Sequence, residues 1–67
     1  MAATSVGARL REAVDFLRDY PGAGHRGRRE NTLEWAVPSL PYIIVYRARG
    51  VILEVLGVYH GAQKYRT

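Results

Sequence analysis

"YIIVYRARGVILEVLGVY", residues 42–59, decides the fold. Two runs of Val, Ile, Leu and Tyr flank one Gly, and β-branched and aromatic residues of this kind favour a pleated, half-buried surface. The stretch reads as an antiparallel hairpin with Arg49-Gly50 as its two-residue turn. That turn sets Ala48 opposite Val51, Tyr46 opposite Leu53, Ile44 opposite Val55 and Tyr42 opposite Gly57. Side chains alternate between faces along a strand. One face therefore carries Tyr42, Ile44, Tyr46, Leu53, Val55 and Tyr59, with no charge, and is expected to form the floor of the core. The other carries Ile43, Val45, Arg47, Ile52, Glu54, Leu56, Val58 and His60, with Arg47 and Glu54 as diagonal neighbours. His60 is expected at a strand end on this mixed face.

Working outward, "TLEWAV" (32–37) alternates and predicts a third, shorter strand, separated from the hairpin by a turn bounded by Pro38 and Pro41. Trp35 on this strand is read as a core residue. Upstream, "PGAGHRGRREN" (21–31) has three Gly, one Pro and three Arg, offers little to bury and is predicted to be loop. His25 in that loop reads as a solvated side chain, since no second ligand stands near it in sequence. Before Pro21, Val6, Leu10, Ala13, Val14 and Leu17 recur at helical spacing, with the charged residues mostly off that stripe. Thr4 or Ser5 can cap this helix, and Pro21 disfavours helical geometry at the residue before it, so the helix should end at Asp19–Tyr20. The predicted class is α+β, one N-terminal helix packed on a three-stranded antiparallel sheet, in a single domain spanning 1–67.

The chain has 67 residues, ten Lys/Arg against six Asp/Glu, a net charge of +4, and no Cys. A chain of this size buries only about 60% of its unfolded surface, so a supplement to the core is expected. Disulfides are excluded and the two His make no recognisable metal motif, which leaves a partner chain. The basic balance favours acidic or polyanionic partners. No apolar run reaches the roughly 18 residues a membrane span needs, and the N-terminus lacks a signal-peptide core. A cytoplasmic protein without a cofactor is expected.

Three pieces of the chain carry a family resemblance. Pro41-Tyr42 opens a strand that runs to Val45-Tyr46-Arg47. Val58-Tyr59-His60-Gly61-Ala62-Gln63 closes the next one. "FLRDYPGAGHRGR" (16–28) is a helix end with a Pro followed by a Gly-containing turn and a basic segment after it. In this order and spacing they resemble the RelE/ParE superfamily of bacterial toxins from type II toxin–antitoxin (plasmid stabilisation) modules, ParE-like members above all. The resemblance runs from about Leu10 to Tyr65. It implies that the chain corresponds to a family domain without its first strand and first helix, with one apolar face half open and closed by dimerisation or another chain.

The resemblance also frames the chemistry. Ribonuclease members of the superfamily cleave messenger RNA in the ribosome, with an acid–base group and phosphate-clamping arginines. One such arginine usually follows the aromatic that opens the middle strand, where this chain has Ile43; a second basic position falls at about Gln63. The remaining catalytic candidates are His60, whose side-chain type suits acid–base work near neutral pH, and Tyr65. A structural role for His60, holding the turn before Gly61, is the alternative, and Gly61 is expected to supply a backbone angle that other residues resist. The candidates for gripping nucleic acid or an acidic partner are Arg26, Arg28, Arg29, Arg47, Arg49, Lys64 and Arg66. The leading expectation is a toxin that acts by binding, with gyrase-type inhibition implied by the resemblance, neutralised by a cognate antitoxin. The alternatives are a RelE-type, ribosome-dependent endoribonuclease acting on mRNA, and a non-toxic truncated remnant.

Overall fold

The computed structural model describes residues 5–61. Helix α1 runs Val6–Asp19, capped by Ser5, whose Oγ accepts from the Ala8 N–H at 3.1 Å. At the other end the Tyr20 N–H donates to the Phe16 carbonyl, and Pro21 turns the chain into a single 3-10 turn, Pro21–Ala23. Both boundaries are those the capping and proline signals predict. Four of the five stripe residues face the sheet, with Ala13 and Leu17 buried and Leu10 and Val14 packed beside them, while Val6 at the helix start is exposed.

The sheet has four strands, β1 (His25–Arg26), β2 (Leu33–Ala36), β3 (Tyr42–Arg49) and β4 (Ile52–His60), in the order β1-β2-β3-β4 with every pairing antiparallel. The expectation of three strands missed β1. Its two residues are polar and carry no hydrophobic alternation; backbone pairing with β2 alone makes them a strand (His25 opposite Glu34, Arg26 opposite Leu33). The basic segment read as loop is therefore a hairpin whose tip is residues 27–32. The Gly27 N–H donates to the Thr32 carbonyl at 2.8 Å, and the buried Thr32 hydroxyl donates to the Arg29 carbonyl at 2.7 Å. Gly27 suits this position, because a Cβ there would collide with Thr32 Oγ1 and crowd the Thr32 carbonyl.

The β3–β4 hairpin forms with a register different from the one predicted. Gly50 and Val51 are the turn residues and Arg49 pairs with Ile52. Gly50 has φ +63°, and glycine at the first central position is what a II′ hairpin turn demands. Arg47 and Glu54 consequently lie directly opposite one another. A bulge then shifts the pairing, so that Tyr46 faces Val55 while Val45 faces Gly57. The extra residue inverts the facing of everything after it. Tyr59 pairs with Ile43 on the face away from the helix, and His60 pairs with Tyr42, reversing the sides predicted for both.

The core lies between α1 and β2–β3. Leu17, Ile44 and Tyr46 are fully buried, Val37 nearly so, and Trp35 stacks on Phe16 with ring centroids 5.1 Å apart. Tyr46 also ties the helix exit to the sheet. Its hydroxyl donates to the Pro21 carbonyl at 2.7 Å and accepts from the Gly24 N–H at 3.0 Å, so this buried oxygen is satisfied on both counts. Helix α1 leaves part of β4 uncovered. On the helix side Val55 and Val58 are each more than 40% exposed, against the expectation that Val55 is core.

Candidate anion-binding furrow

Because Leu33 pairs with Tyr46, residues just before β2 lie beside residues just after the middle of β3. Antiparallel order thus brings the β1–β2 tip and the β3–β4 turn to one end of the sheet. Five of the predicted basic residues meet there. Arg26, Arg28 and Arg29 come from β1 and its tip, Arg47 and Arg49 from the end of β3. Together they line one open cavity of about 1010 Å³. Only Glu30 contributes a negative charge to its lining. Glu54, opposite Arg47, moderates the rim. Arg47 Nε donates to its carboxylate at 2.7 Å, and Arg49 Nη1 lies 3.7 Å away on the other oxygen. The Arg47 hydrogen bond, aided by the charges of both guanidiniums, holds the Glu54 carboxyl below its ordinary value of 4.5.

A second groove of about 530 Å³ adjoins the first and shares Arg28, Arg29 and Thr32 with it. Its remaining lining is Val45, Leu56, Gly57, Tyr59 and Glu34, on the face opposite the helix. Glu34 was not foreseen as a site residue, and neither was Tyr59. Glu34 is only 2% exposed, and a buried carboxylate is costly unless hydrogen bonds satisfy it. Here Oε2 accepts from the Arg28 backbone N–H and from the Tyr59 hydroxyl, both at 3.3 Å, while His25 Nε2 stands 3.8 Å from Oε1. The available sequence signal was the charged residue inside "TLEWAV"; what it lacked was β1, which supplies the cover.

The other predicted site residues fare differently. His60 is exposed, packs edge-on to Tyr42 at 5.7 Å on the helix side, and lines neither groove. It is not brought to the arginines. Gly61 donates its N–H to the Pro41 carbonyl, and its φ is not in the left-handed region, which corrects the expectation of a special backbone angle. Tyr65, Lys64 and Arg66 lie outside the described residues. Ile43, where the resemblance expects a phosphate-binding arginine, sits on the same open face as Glu34 and Val45, paired with Tyr59. Among the described residues no cluster of three His, Asp or Glu could hold a metal ion, and no helix is long and apolar enough to cross a membrane.

This geometry can bind an extended anionic surface: five guanidiniums gathered at one end and an apolar floor at Val45 and Gly57. The sequence model of a family described as "ParE toxin of type II toxin-antitoxin system, parDE" matches residues 2–65. The chain belongs to this ParE toxin family. It is also 42% identical over 64 residues to a protein of Sinorhizobium fredii named "Putative toxin Y4kP", a match that covers 96% of this chain and 66% of that one. The chain thus spans about two thirds of the length of this curated relative. No solved structure matches it significantly.

Proposed function

We propose that the chain is the toxin of a type II toxin–antitoxin pair and acts in the bacterial cytoplasm by binding its target rather than by cutting RNA. The observation that carries this reading is the arrangement of the sheet. Five arginines line one cavity at its end, while Ile43 stands where ribonuclease members of the superfamily are expected to carry a phosphate-clamping arginine, and His60 lies on the helix side, away from that cavity. Removing one preorganised donor from a catalytic site costs about 3–4 kcal/mol of transition-state stabilisation, so a nuclease built on this sheet would lack much of its power. A binding surface needs no such set. Family membership supports gyrase as the target class and a cognate antitoxin as the neutralising partner. The exposed apolar strip of β4, with Val55 and Val58, supports docking of that antitoxin or a second copy.

The test is induced expression in a bacterial host with and without an antitoxin, followed by two assays on the purified chain. Growth arrest relieved by the antitoxin, inhibited DNA supercoiling by gyrase and intact transcripts in a translation extract are expected. Ribosome-dependent cleavage of mRNA that His60→Ala abolishes would establish the endoribonuclease instead. Good soluble yield with no arrest would mark a non-toxic remnant.

A further inference from the structure

We propose that Glu34 is the positioning residue of the arginine furrow, a latch that fixes the β1–β2 tip so that Arg28 and Arg29 face the same cavity as Arg47 and Arg49. The proposal rests on the reading of that furrow as an anion-binding surface and adds the residue that shapes it.

A six-residue tip of one Gly and five polar residues has no apolar side chain to bury and would by itself be loose. Something must hold it, and three groups from three parts of the chain converge on one carboxylate. The Arg28 N–H comes from the tip itself, His25 Nε2 from β1, and the Tyr59 hydroxyl from β4 across the sheet. Glu34 sits on β2 between them, sealed from solvent. A carboxylate this buried could have been an apolar residue at less cost if the site needed only to fill space. Its value lies in geometry. The acceptor draws the tip onto the open face and sets the Arg28 backbone, and with it the side chains at 28 and 29 that line both grooves. Both hydrogen bonds are long, at 3.3 Å, so the hold comes from several contacts converging on one acceptor and not from the strength of any one of them. The β4 bulge contributes, because without the added residue Tyr59 would lie on the helix side and could not reach Glu34.

A positioning role makes a prediction opposite in sign to simple charge counting. Glu34→Gln raises the net charge by one and keeps one acceptor oxygen. If only total charge mattered, a polyanion would bind the variant more tightly. If Glu34 orders the tip, the variant binds less tightly. The experiment measures amide hydrogen exchange at Arg28 and the salt concentration that elutes the folded chain from immobilised heparin, for wild type, Glu34→Gln, Tyr59→Phe and the double variant Arg29→Ala with Arg49→Ala. In Glu34→Gln, Arg28 exchange is expected to be about tenfold faster while β3 amides keep their protection, with elution at lower salt. Tyr59→Phe, which deletes one donor and keeps the ring, should shift both readouts the same way by less, and decides the matter if Glu34→Gln does not fold. Unchanged Arg28 exchange, or elution at equal or higher salt, overturns the latch. If the double arginine variant elutes with wild type, the furrow reading fails, and Arg28 exchange alone then decides whether Glu34 still holds the tip.

Discussion

The two faces of β3 belong to one strand and obey different rules. On the helix side Ile44 and Tyr46 are completely buried, and their positions follow from local alternation. On the open side Val45 and Arg47 are half-exposed, and what they meet depends on chain segments far away in sequence. The helix side holds the fold together; the open side gathers charge. Residues that decide stability should therefore separate from residues that decide binding, although both stand within one eight-residue strand.

The sharpest way to break the comparison is at the core. Leu17→Ala empties a fully buried site under the sheet and should cost about 2–5 kcal/mol, enough to unfold much of a domain this small. Thermal melting checks it, and an unchanged midpoint would mean that the helix side is not the foundation. Next comes Tyr46→Phe. It leaves the ring in place but strips the Pro21 carbonyl of its donor and the Gly24 N–H of its acceptor, for an expected loss of about 1–3 kcal/mol in urea unfolding.

The open side should respond in the opposite way. Arg29→Ala combined with Arg49→Ala removes two exposed guanidiniums and should alter stability by less than about 0.5 kcal/mol while lowering the salt needed for heparin elution. The smallest expected effect is on acid stability. Glu54 titrates lower in the folded chain than in the unfolded one, so its contribution is present above the unfolded pKa and is lost as pH falls through the folded value. Glu54→Gln should therefore be slightly less stable than wild type at neutral pH, with the difference vanishing as pH falls below about 4.5 and a flatter acid limb as the result, as melting against pH would show.

The division between faces also explains what the sequence revealed. The helix, with its Ser5 cap and its stop at Pro21, was legible because caps, proline and hydrophobic period are local signals. So were β2, β3 and the burial of Ile44 and Tyr46. The β3–β4 register was not, because Arg49-Gly50 and Gly50-Val51 are both plausible turns and only the fold selects between them. The bulge leaves no mark in "EVLGVY" that alternation could read, and it moved Tyr59 and His60 to the sides opposite those expected. At the candidate site, the arginines could be named by composition but their meeting could not. It requires β1, a strand of two polar residues that no hydrophobic alternation marks. Glu34 was hidden for the same reason, since its burial comes from cover supplied by other segments.

The most direct test of the account compares growth arrest on induction for wild type and for Arg26→Ala, Arg29→Ala and Arg49→Ala combined, at matched soluble yield and matched melting temperature. Wild type is expected to arrest growth, and the triple variant, equally folded, to grow normally. Arrest by the triple variant as strong as that by wild type would contradict it.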